Sequence, residues 1–315
     1  MKAGIRHAGS GFTDRIFPLL HRGGCLCGAA CCVLLVSCGG KGETSFIPPA
    51  TSALLDGRPV PGRAIISPLT GQAASNHAAL CAKICDNLER VPFEARFFAD
   101  PKKTNETLRY RFFKPLNFDP VRTYPLVVFL HGGGATHSFD DLLKCSSPVF
   151  AFGPARLVAP EEQARHAAFV VVPWSGGGSW NEDNTRLILG LLDTLGREFP
   201  IDRRRLYVTG QSMGGFGTWQ MITQYPDVFA AAVPVCGGGD PEMAAQAKGV
   251  AVWAFHGSAD GIVPVSETRG MIAALFQAGA QPVYWEYDGG THAKTAERAY
   301  CEPQLLDWLF AQAKP

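Results

Sequence analysis

A chain of 315 residues with 46% hydrophobic content is long enough for one large globular domain with an extension. Lys+Arg 29 balance Asp+Glu 28 for a formal net charge of +1, and no dense basic run occurs, which excludes a nucleic-acid-binding surface built on excess positive charge. The longest apolar stretch, Cys25 to Cys38, falls short of the ~20 residues that a membrane-spanning helix needs.

That stretch reads instead as the apolar core of an export signal, because it follows Lys2, Arg6, Arg15 and Arg22 and gives way to the small, polar "GGKGETS". Its end, Leu35-Val36-Ser37-Cys38, resembles a bacterial lipobox. The resemblance implies cleavage after residue 37, a lipid on Cys38, and a cell-envelope protein held to a membrane by that lipid alone, or a secreted one. Residues 38–90 then read as a flexible tether or a loosely attached extension, since Gly, Pro, Ser and Ala dominate from Gly39 to Ala74 without sustained periodicity. Beyond the signal and Cys38, five cysteines remain: Cys81, Cys85, Cys145, Cys236 and Cys301. One or two disulfides are expected, with pairings that spacing cannot reveal, and no metal site, because Cys81 and Cys85 share a helical face without further ligands nearby.

Residues 91–315 carry the pattern of a catalytic domain. "FEARFF" and "TLRYRFF", separated by a turn-like segment, predict an antiparallel pair of strands. "PLVVFL" at 125–130 is a continuous apolar run suited to the middle of a sheet covered on both faces, and "AAFVVVP", "RLYVTG", "AAAVPVCG" and "VAVWAFHG" repeat it. A helix is predicted from about Asn184 to Phe199, with Leu187, Ile188, Leu191, Leu192 and Leu195 on one stripe. Strands alternating with helices imply an α/β fold: a doubly wound, mainly parallel sheet flanked by helices. In such sheets ligands bind beyond the carboxyl ends of the strands. The unusual residues of this chain fall there: His131 to Gly134, Trp174 to Trp180, Ser212, Asp260 and His292.

"VTGQSMGGFGTWQMI" places Ser212 in G-x-S-x-G between a strand-like and a helix-like segment, the context of a nucleophile elbow. Together with "YPLVVFLHGGG", "YPDVFAAAVPVCGGGDP", "VWAFHGSADGIVPVSETRGMIAAL" and "GGTH", it makes the region from Phe93 onward resemble an α/β-hydrolase. Within that fold the chain is similar to the secreted carboxylesterase, feruloyl esterase and polyhydroxyalkanoate depolymerase group, with prolyl oligopeptidases as peptidase relatives. The resemblance implies hydrolysis of an acyl bond through an acyl-enzyme on Ser, with no cofactor.

Such a Ser needs a base, a group that orients the base, and donors for the oxyanion. The fold's chain order of Ser, acid, His leaves Asp240 and Asp260 as acids, and Asp260 is preferred because Asp240 precedes Pro241 as a helix N-cap would. Only His256 and His292 follow Ser212. His292, in a Gly-Gly-Thr turn on a mobile loop, is assigned as base, and His256 as a brace for the Asp260 loop. Oxyanion donors are expected at Met213 and at Gly133, or alternatively Gly134, with His131 fixing the turn. Gln211 and Trp180 are candidate substrate contacts, and for Trp180 packing at the base of a loop is an equal alternative.

The expected activity is carboxylic ester hydrolysis on acylated carbohydrate or small aryl and alkyl esters. A prolyl-oligopeptidase-like peptidase is disfavoured because roughly 55 residues between Cys38 and Phe93 cannot build a β-propeller. A polyester depolymerase and a ligand-binding surface lipoprotein on a hydrolase scaffold remain as alternatives, the latter weakened by retention of every catalytic candidate.

Overall fold

The computed structural model describes residues 53–55, 58–60, 63–90, 93–101, 103, 106–135, 138–140, 142–143 and 148–315. The segment read as an export signal and Cys38 lie outside them. The first described strands, β1 (Ala53–Leu55) and β2 (Arg58–Val60), pair antiparallel. The strands of the main sheet are β3 (Arg63–Ile66), β4 (Glu94–Ala99), β5 (Thr107–Phe113), β6 (Tyr124–Leu130), β7 (Phe169–Pro173), β8 (Ile201–Gln211), β9 (Ala231–Val235), β10 (Ala251–Gly257) and β11 (Val283–Tyr287). Their spatial order is β3-β11-β10-β9-β8-β6-β7-β5-β4. From β3 to β7 every neighbouring pair is parallel, while β5 runs antiparallel to both β7 and β4. The antiparallel pair expected from "FEARFF" and "TLRYRFF" is therefore β4 and β5.

The helices are α1 (Gly71–Arg90), α2 (Pro148–Val158), α3 (Pro160–Arg165), α4 (Glu182–Glu198), α5 (Met213–Gln224), α6 (Ser266–Gln277), α7 (His292–Tyr300) and α8 (Leu305–Phe310). All seven residues of β6 are buried because the sheet is covered on both sides. Leu126, Val128 and Leu130 join a core with Phe169, Val208, Leu191 of α4, Trp219 of α5 and Met271 of α6. Residues of the opposite parity meet the other layer: Phe129 packs on Tyr300, Tyr207 on Phe310, and Trp253 on Trp308. The predicted stripe of α4 is buried as expected, and its start is set by Asn181, whose side chain accepts a hydrogen bond from the Asn184 N–H at 3.0 Å. Among the described residues no helix is long and apolar enough to cross a membrane.

The tether expected over residues 38–90 does not extend that far. β3 is an edge strand of the main sheet, α1 packs on α2, and the described residues belong to a single compact unit. Arg63 of β3, 6% exposed, is ion-paired with Glu286 of β11, 1% exposed, across 223 positions of sequence. Arg269 of α6 reaches the same carboxylate at 2.6 and 2.9 Å, and the Tyr284 hydroxyl donates to it at 2.8 Å. Composition identified a segment poor in long apolar runs. It could not identify a strand held by a partner at the far end of the chain.

β6 lies between β7 and β8, so the chain builds outward first on one side of β6 and then on the other. In open α/β sheets such a reversal marks where ligands bind, and here it falls at the carboxyl ends of β6 and β8, where the loop from His131 and the turn at Ser212 meet.

Candidate active site

Ser212 joins β8 to α5 at φ +56° and ψ −121°, a backbone conformation strongly disfavoured for a residue with a side chain. Surrounding contacts hold it there. Its N–H donates to Val235 O of β9 at 2.9 Å, and a Cβ on Gly214 would collide with the carbonyls of Leu130 and His131. The absence of that Cβ lets the end of β6 lie directly on the first turn of α5. The loop carrying Gly133 and Gly134 thus begins beside Met213, the first residue of α5, whose N–H is among those at a helix start with no intrahelical acceptor. Gly133 and Gly134 are exposed, Gly133 in a 3₁₀ turn at Gly133–Ala135.

His131 is fully buried under this loop. Its Nδ1 lies 2.8 Å from Gly132 O and its Nε2 accepts from the Ser175 N–H at 3.1 Å, so one neutral tautomer satisfies both contacts. Burial pushes its pKa down to about 4, partly offset by the Gly132 carbonyl. His131 therefore holds the turn as a neutral imidazole.

Asp260 follows β10. Its carboxylate is buried, and Oδ1 accepts from the backbone N–H groups of Ile262 and Val263, both at 2.9 Å. Oδ2 lies 2.7 Å from His292 Nδ1 and 3.2 Å from His256 Nε2. Burial opposes its ionisation, but the two N–H donors and His292 outweigh that and hold its pKa below the usual carboxylate value. The loops bearing Asp260 and His292 are joined by backbone bonds from Ser258 N to Tyr287 O at 2.9 Å and from Ala259 N to Gly290 O at 3.1 Å. Gly257 permits this approach, since a Cβ there would strike Gly290 O.

His292 is not on a mobile loop: it is the first residue of α7. With Nδ1 committed to Asp260, Nε2 is the nitrogen left for proton transfer. Cys236, between β9 and the elbow, places its Sγ 3.7 Å from His292 O, while the preceding Val235 carbonyl accepts from Ser212 N. α7 and the Ser212 turn therefore meet at the end of β9. Sequence reasoning assigned Cys236 no role here. Its φ of +48° turns the residue into this position, and a Cys gives no sequence signal for that conformation. Burial, then the neighbouring Asp260 charge, pushes its thiol well above the ordinary value, so it stays protonated.

His256 is fully buried, with Nδ1 2.7 Å from Thr268 Oγ1 and Nε2 3.1 Å from Val263 O. It braces the Asp260 loop. Asp240 is the expected N-cap, accepting from the Glu242 N–H at 2.9 Å ahead of a 3₁₀ segment at Pro241–Gly249. Asp240→Asn should leave kcat and the thermal midpoint nearly unchanged, because Asn caps as well as Asp. A loss of kcat comparable to that of Asp260→Asn would move the acid assignment to Asp240.

The two proposed substrate contacts are enclosed. Trp180 is 6% exposed, its Nε1 donates to His131 O at 3.0 Å, and its ring packs against the His131 ring and over Gly217. It supports the loop that carries Gly133 and Gly134, the packing alternative. Gln211 is 1% exposed as the last residue of β8 and presents almost no surface to a substrate. Among the described residues, exposed apolar side chains near the site include Phe216, one turn after Ser212, and Ile262, two residues after Asp260.

Two groups of potential metal ligands occur among the described residues: His77, Cys81 and Cys301, and Cys236, His256 and Asp260. In the second, hydrogen bonds occupy both Asp260 oxygens, and the Cys236 thiol is held protonated. That donor set suits a hydrogen-bond network.

By fold the chain is an α/β-hydrolase. Residues 175–253 match the prolyl oligopeptidase family. Poly(3-hydroxyalkanoate) depolymerase C of Paucimonas lemoignei is 34% identical over 119 residues, covering 36% of this chain and 28% of the relative. The bifunctional acetylxylan esterase/xylanase XynS20E of Neocallimastix patriciarum is 29% identical over 119 residues, covering 36% of this chain and 18% of the relative. The crystal structure of a thermostable esterase superposes with a TM-score of 0.63 and 32% identity, over 73% of this chain and 64% of that one. The chain thus spans less than a third of either curated relative and just under two thirds of the esterase.

Proposed function

We propose that the chain is a serine carboxylesterase acting through an acyl-enzyme on Ser212. One observation carries the reading: a His292–Asp260 pair at 2.7 Å stands at the same sheet end as a Ser held at φ +56°. In this reading Ser212 Oγ attacks the ester carbonyl while His292 Nε2 takes its proton. Asp260 holds the imidazole in the tautomer with Nδ1–H and stabilises the imidazolium that forms. The backbone N–H groups of Met213 and Gly133, with Gly134 as the alternative to Gly133, receive the oxyanion. The imidazolium then gives its proton to the departing alcohol, and water activated by His292 releases the acid. None of these steps calls for a cofactor or metal.

The substrate class is an ester of acylated carbohydrate or a small aryl or alkyl ester. The exposed Phe216 and Ile262 offer apolar contact to such groups, and ester-cleaving enzymes stand among the similar proteins. The test is a panel of acetyl, butyryl and feruloyl esters against peptide amides and a poly(3-hydroxyalkanoate) film, each with wild type and Ser212→Ala. Ser212-dependent turnover of the amides or the film above the soluble esters would replace the substrate assignment. Absence of Ser212-dependent turnover on every substrate would favour a binding protein.

We further propose that residues 1–37 direct export and that Cys38 carries a lipid. A chain beginning at Lys41 should be soluble with full esterase activity, since the segment removed supplies no catalytic group. Full-length protein from a lipoprotein-competent bacterium should partition into detergent, and Cys38→Ser should abolish that partitioning. Cys38→Ser protein still bound to membrane would identify the apolar segment as a retained anchor.

A further inference from the structure

Away from the esterase site, α1 and the end of α7 bring two cysteines together. Cys81 lies in α1 and Cys301 directly follows α7, and they are 5% and 1% exposed. Their sulfur atoms, 220 positions apart in sequence, stand 2.7 Å from each other. That is closer than two thiols need for a weak hydrogen bond and within a small side-chain adjustment of the ~2.05 Å covalent bond. His77, one helical turn before Cys81, places its Nε2 3.5 Å from Cys81 Sγ and 4.0 Å from a Glu297 oxygen of α7.

We propose that Cys81 and Cys301 form a disulfide that clamps α1 onto the end of α7, the helix that begins with His292. The observation points to a disulfide over a shared metal ion. Two thiolates on one tetrahedral zinc, each bonded at about 2.3 Å, stand about 3.8 Å apart. Among the described residues the group of potential ligands here is His77, Cys81 and Cys301.

The surroundings suit the chemistry. The hydrogen bond from Cys301, assisted by His77, holds the Cys81 thiol down at about 6 against the opposing effect of burial, while Cys301 is pushed up. Cys81 is thus the sulfur that ionises first. Its thiolate attacks one sulfur of an oxidising disulfide, such as a protein thiol oxidase or oxidised glutathione, and expels a thiolate. Cys301 then gives up its proton and attacks Cys81 Sγ, forming the Cys81–Cys301 bond and expelling the second thiolate. The two cysteines lose two electrons and two protons, and the oxidant gains both as two thiols. Because both cysteines are buried in the folded protein, this exchange takes place late in folding, after α1 has brought Cys81 and His77 beside Cys301 and before it seals the site. The export proposed for residues 1–37 would deliver the chain to a compartment where such bonds persist.

The consequence is mechanical. The bond closes a loop of more than two hundred residues, so it restricts the unfolded chain strongly. It also makes α1, taken for part of a tether on composition, a covalent part of the catalytic domain.

The test uses the full-length protein folded in a mixture of reduced and oxidised glutathione, freed of zinc, then unfolded, alkylated and digested without reductant. The expected product is a peptide pair joined through Cys81 and Cys301 that separates on reduction. Recovery of both cysteines alkylated before reduction, or of Cys81 joined to Cys85 or Cys145, would overturn the proposal. So would one equivalent of zinc retained by protein folded in its presence, with both thiols still reduced. The thermal midpoint of the oxidised protein should fall on the order of 5–10 °C on reduction. Cys81→Ser and Cys301→Ser should each lose that fall, and a fall undiminished in either variant would also overturn the proposal. Should either variant fail to fold, the peptide map of the wild type decides.

Discussion

Ser212→Ala should lower kcat on a chromogenic acetyl ester by roughly 10⁴- to 10⁶-fold with KM nearly unchanged, because the nucleophile contributes to the transition state and little to substrate binding. His292→Ala should cost about as much. The two changes together should cost little more than either alone, since an unactivated Ser and an unattended base are each inert. Asp260→Asn should be severe but smaller, on the order of 10³- to 10⁴-fold, through loss of the charge that orients the Nδ1–H of His292. The measurement is kcat from protein quantified by absorbance, with folding checked by circular dichroism. Additive losses in the double variant would show that Ser212 and His292 do not act as one unit. A Ser212→Ala protein with more than a few per cent of wild-type kcat would remove Ser212 from the nucleophile role.

Glu286→Gln should destabilise the fold by on the order of 3–5 kcal/mol, because Arg63 and Arg269 would both lose the carboxylate that compensates their charge. Arg63→Leu should cost less, since Arg269 and Tyr284 would still satisfy Glu286. The pH dependence follows from the direction of the Glu286 shift. Burial opposes ionisation of this carboxyl, but Arg269, Tyr284 and Arg63 outweigh it and hold its pKa below the ordinary glutamate value. A depressed folded-state pKa contributes stability that is fully present above the unfolded value of about 4.3 and is lost as pH falls through the folded value. The gap in urea midpoint between wild type and Glu286→Gln should therefore be largest near neutral pH and shrink in acid. A gap that grows on acidification would mean the carboxylate is not what these arginines hold.

Much of this architecture was legible in the chain because its signals are local. The continuous apolar runs are buried on both faces, the α4 stripe is the buried stripe, and Asp240 precedes Pro241 as a cap. Ser212, Asp260 and His292 could be placed at strand ends because short loops follow each strand. Other features had no local signal. Gln211 and Trp180 looked like substrate contacts from their nearness to Ser212 and to a Gly-rich loop. Sequence proximity does not tell which way a side chain leaves a strand end, and both point inward.

The sequence by itself determined the α/β alternation and the strand–Ser212–helix turn, because hydrophobic period and turn chemistry act over a few residues. Only the tertiary structure decided that His292 opens a helix, that Cys236 ties that helix to the elbow, and that residues 63–90 belong to the domain. Each of these depends on partners far apart in sequence, Arg63 with Glu286 and Cys81 with Cys301 most of all. Such pairs are brought together by closing the sheet and packing its helices, and neither process leaves a pattern in neighbouring residues.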